Sequence, residues 1–302
     1  MRFTIYQESR IGKRRSNQDR IGYVYSRDAL LMVIADGMGG HLHGEIAAHL
    51  AVQFMTDAFQ REAKPVLSDP AMFLSKCLSR AHNAILGYSI EKNLPETPRT
   101  TIVACIIQEG FAHWAHAGDS RLYLIREGNI IGQTNDHSRL QQMLDQGLIS
   151  ASDAAHHPGR NRIYSCLGGD RPPQIEYSSR FHLETNDVIA LCTDGLWGPL
   201  SSEEISQAFA DTDVMTVAPR LLDEAEQRAG KQSDNLSLVA MCWQEESLVD
   251  NAVTTQFMAL DAFTSWMEPM SAGSGHLPEL TDEEIEKTIA EINDTINKFS
   301  RH

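Results

Sequence analysis

The sequence predicts an α+β fold in four layers, α-β-β-α, with two antiparallel sheets packed face to face and flanked by helices. Three observations predict it. Closely spaced strand-like runs between Thr100 and Thr134 are joined by tight turns, and connections that short require antiparallel pairing. Pairs of helical patterns occur in each half of the chain, enough to cover the outer face of both sheets. The run Leu31 to Ala35 is apolar at every position, as befits a strand buried on both faces.

Taken in order, Phe3 to Glu8 alternates as a strand, and the polar, basic connection Ile11 to Asp19 leads to the strand Ile21 to Tyr25. The apolar run Leu31 to Ala35 then delivers Asp36 at its end. Gly37, Gly39 and Gly40 allow a turn that side chains would block, and they let a backbone carbonyl approach an ion. Helical spacing follows over Glu45 to Phe59, through Ile46, Leu50, Phe54 and Ala58, and again over Asp69 to Tyr88. After a loop at Pro95 to Arg99 come the strands Thr100–Ile107, Phe111–Ala117, Arg121–Arg126 and Ile130–Thr134, with Gly118-Asp119-Ser120 among their turns. Asp136 to Gly147 reads as a short helix, and Leu148 to Gly169 as a loop. Strand character returns at Ile175–Leu183 and at Asp187–Cys192, and the second of these ends in Thr193-Asp194-Gly195, much as the run before Asp36 does. Ser201 with Glu203 and Glu204 starts a helix, a second spans Val214 to Arg228, and Gln232-Ser233-Asp234-Asn235 precedes the last core strand, Leu236 to Trp243.

One domain therefore ends at residue 244, and 245–302 form a different kind of tail. Residues 245–280 are weakly patterned, with Pro269, Gly273, Gly275 and Pro278, and read as an acidic linker. Thr281 and Glu284 make a capping box for a C-terminal amphipathic helix whose stripe is Ile285, Ile289, Ile292, Ile296 and Phe299. That stripe suits docking on its own domain or contact with a partner.

Composition narrows the function classes. The 302 residues are 42% hydrophobic, enough for a sizeable core, and the formal net charge is −15. Residues 245–302 hold 12 acidic and 3 basic side chains, and the first 244 hold 29 and 23. An acidic surface disfavours nucleic acid and anionic membrane as partners. The five cysteines show no C-x-x-C spacing, and most sit in apolar runs, as buried thiols in a reducing compartment do. No apolar leader opens the sequence and no run approaches about 18 apolar residues, so a cytoplasmic protein is expected.

Two apolar strands ending in Asp-Gly suggest one site. Hard divalent cations prefer carboxylate, carbonyl and water oxygens, and Asp36, Asp194 and Asp234 each stand at a strand end or beside one. If the three converge, their mutual repulsion calls for a cation between them. Zinc is disfavoured, because no histidine or cysteine set has ligand spacing. A pair of divalent ions acidifies water and clamps an in-line attack on phosphorus, and an arginine from Arg14-Arg15 can neutralise phosphate oxygens. No Cys-x5-Arg loop is present to support a cysteinyl-phosphate route.

Together, RRSNQD (Arg14 to Asp19), ADGMGGHLHGE (Ala35 to Glu45), AHAGDSRLYLIREG (Ala115 to Gly128), NDHS (Asn135 to Ser138), CTDGLWGPLS (Cys192 to Ser201) and SDNLSLV (Ser233 to Val239) resemble the metal-dependent type 2C protein phosphatases, the PPM class, in its bacterial serine/threonine branch. The motifs occur in family order across residues 1–244, which the resemblance makes the catalytic domain. It implies that Asp36 bridges two Mn2+ or Mg2+ ions and that Gly37 lends its carbonyl to one. It further implies Asp194 and Asp234 at the other ion, Asp19 supporting the first, and Asp119 with Asp194 at a third, weaker site. Arg14 matches the phosphate-binding arginine, with Arg15 the competitor if the register slips by one. The segment from about Leu140 to Arg160 corresponds to a variable flap.

Met38 stands where animal members carry a histidine, which leaves His41 and His43 as candidates for proton transfer and turn packing as their alternative. The implied activity is hydrolysis of phosphoserine and phosphothreonine on proteins, opposite a cognate kinase, with no phosphoenzyme. The competing reading is a catalytically silent phosphoprotein-binding scaffold on the same fold.

Overall fold

The computed structural model describes residues 1–38, 43–150, 162–211 and 213–244, together with the backbone of a strand at Thr264–Met267. The C-terminal helix expected at 281–302 lies outside the described residues, as does the part of the flap at 151–161.

Alternation along the central strands builds the layers. In β3 (Ala29–Asp36), Leu31, Val33 and Ala35 face α1 (Gly44–Glu62) and α2 (Pro70–Glu91), while Leu30, Met32 and Ile34 face inward between the sheets. Both sets are fully buried, which is why the run carries no polar position. β4 (Ile102–Gln108), β5 (Phe111–Ala117), β6 (Arg121–Arg126) and β7 (Asn129–Gln133) follow, and β10 (Val188–Cys192) alternates in the same manner as β3. Its Val188, Ala190 and Cys192 face α5 (Ser202–Ala208) and α6 (Val214–Ala229), and its Ile189 and Leu191 meet the inner layer. Three apolar cores thus separate four layers, the expected arrangement.

With β1 (Arg2–Arg10) and β11 (Leu236–Gln244), one sheet runs β1-β11-β10-β6-β7. The other contains β2 (Asp19–Tyr25), β3, β4 and β5, and every pairing is antiparallel. Helix ends are chemically specified. Asp69 accepts from Met72 N at 3.0 Å ahead of Pro70, and Ser201 with Glu204 forms a reciprocal box at α5.

Three local expectations change. The strand read at Ile175–Leu183 is two short pieces, β8 (Glu176–Tyr177) and β9 (Phe181–His182), both on β5. Between them Ser178 folds back on Trp114, accepting from its N–H and donating its own to its carbonyl, each at 2.9 Å. The helix read at Asp136–Gly147 is α3 (Arg139–Asp145), begun by the Ser138 cap on Gln141 N. Within the stretch read as a linker, β12 (Thr264–Met267) adds to the edge of β2, pairing Thr264 with Tyr25; a weak pattern is what an edge strand needs when only its backbone is specified.

Between β10 and α5 lies a single helical turn, α4 (Asp194–Trp197), and its placement depends on Gly195. A Cβ there would stand 2.0 Å from the Asn235 carbonyl oxygen, backbone that has no freedom to retreat. Gly195→Ala should therefore separate the start of α4 from the start of β11 and destabilise the domain by about 1–3 kcal/mol. The urea midpoint measures this, and an unchanged midpoint would contradict the close approach.

Candidate active site

Five aspartates lie at one end of the sandwich because five chain segments end there. Asp19 opens β2 and Asp36 closes β3, directly opposite in register. Asp119 lies in the β5–β6 turn, Asp194 follows β10 and Asp234 precedes β11. The register Arg121↔Cys192 and Cys192↔Leu238 brings the last three ends level.

Hydroxyls and amides fix this end of the fold. Asp19 is 1% exposed, and its Oδ2 accepts from Thr193 Oγ1 at 2.8 Å and Ser237 Oγ at 2.7 Å, a junction between the two sheets. The Asp36 N–H donates to Thr101 Oγ1 at 3.1 Å, and its carbonyl accepts from Thr100 Oγ1 at 2.8 Å. Gly37 donates to the Gln18 carbonyl and backs onto Gly44 so closely that a Cβ would meet the Gly44 carbonyl at 2.5 Å. Asn235 clasps the loop before β2. Its Nδ2 donates to the Ile11 and Ser16 carbonyls at 2.9 and 3.0 Å, and its Oδ1 accepts from Gln18 N at 2.9 Å. That clasp carries exposed Arg14 over the cluster, where its guanidinium pairs with Asp234.

The electrostatics are those of crowded like charges. Burial, followed by Asp19, Asp194, Asp119 and Asp234, raises the Asp36 carboxyl well above the ordinary carboxylate range. Burial and then Asp119, Asp234 and Asp19 do the same to Asp194, with Arg14 opposing. Asp19 is pushed up to about 6 by burial against its two hydroxyl donors. Asp119 is pushed up to about 7, again mainly by burial and next by Asp136.

The residues fit hard divalent cations. Every donor is oxygen, and Asp19 Oδ1 is buried with no hydrogen-bond partner among the described residues, a cost that a nearby cation removes. Among those residues, the one trio whose ligand atoms all lie within 4.8 Å is elsewhere, at His116, His137 and Glu176.

Arg14 is the arginine that meets the cluster; Arg15 is exposed. His43 occupies the left-handed region at φ 69°, just before α1, with its Nδ1 3.8 Å from Glu45 Oε1, and His41 lies outside the described residues. Thr193, Ser237, Thr101 and Asn235 went unread as site-builders, since their partners are distant in the chain. No histidine set has ligand spacing along the chain, so the meeting of His116, His137 and Glu176 is visible only in space. Thiols stay outside the chemistry: burial pushes both Cys77 and Cys192 up to about 12, leaving them protonated.

Residues 6–229 match the family model described as Protein phosphatase 2C. The serine/threonine phosphatase stp of Listeria monocytogenes serotype 4b is 30% identical over 196 residues, covering 64% of this chain and 77% of its own length. The solved structure of serine/threonine phosphatase Stp1 from Staphylococcus aureus aligns with a TM-score of 0.74 at 25% identity, over 81% of this chain and 96% of that one. The catalytic domain of the serine threonine protein phosphatase PstP, solved in complex with 2 manganese ions, aligns with a TM-score of 0.68 at 27% identity, over 80% and 99%.

The raised carboxyls predict a pH dependence that a cation reverses. Asp19 and Asp119 ionise near the ordinary 3.8 when unfolded but at about 6 and about 7 when folded. Without metal, their folded forms hold protons that the unfolded chain has lost, so stability falls as pH rises from about 4 to about 7. The gain in Tm from Mn2+ over chelator should therefore be larger near pH 7.5 than near pH 5. Equal gains at both, read by scanning calorimetry, would contradict the carboxylate cluster as the binding site.

Proposed function

Because the chain belongs to the protein phosphatase 2C family, it is a protein serine/threonine phosphatase acting on phosphoproteins, and we propose that it does so with water activated between two Mn2+ or Mg2+ ions. Asp36 would bridge the pair, Gly37 would offer its carbonyl to one ion with Asp19 supporting it, and Asp194 and Asp234 would hold the other. Asp119 with Asp194 would take a third, weaker ion. A bound pair supplies an acidified water and neutralises charge during in-line attack on the phosphomonoester.

The chain's own residues do the rest. Thr193 and Ser237 hold the Asp19 carboxylate so that its free oxygen turns to the cluster. Asn235 holds the loop from which Arg14 takes a phosphate, exchanging its pairing with Asp234 for two phosphate oxygens. Burial keeps the Cys77 and Cys192 thiols protonated, and the proposed hydrolysis leaves no phosphoenzyme. His43 is the described candidate for proton transfer, with His41 beside it in sequence.

The single observation that carries this reading is the gathering of Asp19, Asp36, Asp119, Asp194 and Asp234 beneath Arg14. A silent scaffold has no use for five mutually repelling carboxylates, and none is replaced. The phosphate donors are proposed to be products of a cognate serine/threonine kinase. The cytoplasm is the proposed compartment, on the strength of five free cysteines. Among the described residues no helix is long and apolar enough to cross a membrane. Residues 1–244 are proposed as the catalytic unit and 245–302 as an appendage that lays a strand on β2 and whose C-terminal helix contacts a partner or that unit.

Hydrolysis of a phosphothreonine peptide in Mn2+ and in chelator tests the reading; turnover indifferent to chelation would overturn it. Asp36→Asn should reduce turnover to background while the fold persists, and retained Mn2+-dependent activity would remove Asp36 from the bridging position. Arg14→Ala should raise KM roughly 10- to 100-fold, the worth of a charge-assisted phosphate contact of about 1.5–3 kcal/mol. An unchanged KM would transfer the role to Arg15.

A further inference from the structure

Outside the aspartate cluster, a second polar group is built from three separate elements. His116 ends toward the turn of β5, Glu176 is its register partner on β8, and His137 precedes α3. Their ligand atoms all lie within 4.8 Å of one another. His116 is 1% exposed and His137 4%, their rings stacked with centroids 4.5 Å apart and planes 30° from parallel, so both lone pairs reach one ion only after the rings turn; the Glu176 side chain is half exposed.

The protonation pattern follows from the partners. His116 Nε2 lies 2.7 Å from the Asn135 carbonyl, so it carries the proton, and Nδ1 holds the lone pair. That Nδ1 is buried and has no hydrogen-bond partner among the described residues. A histidine with one nitrogen donating to a backbone carbonyl and the other bare has the outer support that metal-ligating histidines have. Burial lowers the pKa of both rings, that of His137 to about 4, so both are neutral ligands near neutral pH.

We propose that His116 Nδ1, His137 Nε2 and Glu176 Oε2 form a separate site for a borderline divalent ion of the Zn2+ class, with water as the fourth ligand. Two imidazoles and a carboxylate select such an ion over Mg2+ or Mn2+, which prefer the all-oxygen cluster. Tetrahedral bonds of about 2.0–2.1 Å place ligand atoms roughly 3.3 Å apart, so the trio must contract. Glu176, half exposed and 3.5 Å from His137 Nε2, is free to swing inward. His137 must also change tautomer. Its Nδ1 now accepts from the Gly118 N–H at 3.3 Å, so its proton is on Nε2. On coordination the proton passes to Nδ1 through solvent and the ring stays neutral; Nδ1–H and the Gly118 N–H would then both be donors, so the ring must also turn away from Gly118. Gly118 adjoins Asp119, so the two sites touch through one peptide.

Co2+ is the probe, added to full-length protein in excess Mg2+. Four-coordinate Co2+ with nitrogen ligands gives strong visible ligand-field bands, whereas hydrated six-coordinate Co2+ at the carboxylates gives weak ones. The expected result is one equivalent of strongly absorbing Co2+, displaced by Zn2+, retained in Asp36→Asn and lost in both His137→Gln and Glu176→Gln. Glu176→Gln changes an exposed side chain, so its loss of the band does not report misfolding. No strong band in the unaltered protein, or a band that survives Glu176→Gln, overturns the site. A band lost in Asp36→Asn overturns it too, by placing the ion at the aspartates.

Discussion

Repulsion among carboxylates is the constraint on which the rest of this structure depends. A chain that folds Asp19, Asp36, Asp119, Asp194 and Asp234 toward one another must protonate them or place positive charge among them, because burial removes the water that would screen them. Arg14 supplies one charge, from an exposed position at the rim. The remainder is the opening for divalent ions, and the bare Asp19 Oδ1 marks the same need in a single atom.

The sheets are what make such crowding reproducible. A carboxylate on a loose loop would retreat from its neighbours, whereas strand register fixes Asp19 against Asp36, hydroxyls from the opposite sheet hold the Asp19 carboxylate, and Thr100 and Thr101 hold the Asp36 backbone. Asn235 extends that order to the loop that bears Arg14, spending both ends of one amide on three backbone groups. Two glycines at points of close approach, Gly37 and Gly195, each stand beside one of the clustered aspartates. Backbone contact there leaves no room for a side chain, and the neighbouring aspartate is positioned as a result.

Much of this was legible in the chain. β3 and β10 are buried on both faces, so their apolar runs stood out, and each ended in an aspartate followed by glycine. Antiparallel order was readable from short turns, and the four layers followed from the helices that must cover two sheets. What escaped depends on partners far away in sequence. Thr193 and Ser237 look like ordinary strand residues until Asp19 is placed between them. His116 meets Glu176 only through the register of β5 with β8, a two-residue strand too short to show alternation. α4 is one turn long, below the length at which helical periodicity can be seen. β12 pairs through its backbone, which side-chain patterning does not encode.

The most direct test of the proposed paired centre is electron paramagnetic resonance of the protein titrated with Mn2+. Ions bridged by Asp36 are close enough to couple, so the signal of isolated Mn2+ should give way to that of an exchange-coupled pair as the second equivalent binds. A spectrum that stays that of isolated ions at every loading would contradict a shared aspartate between two metals.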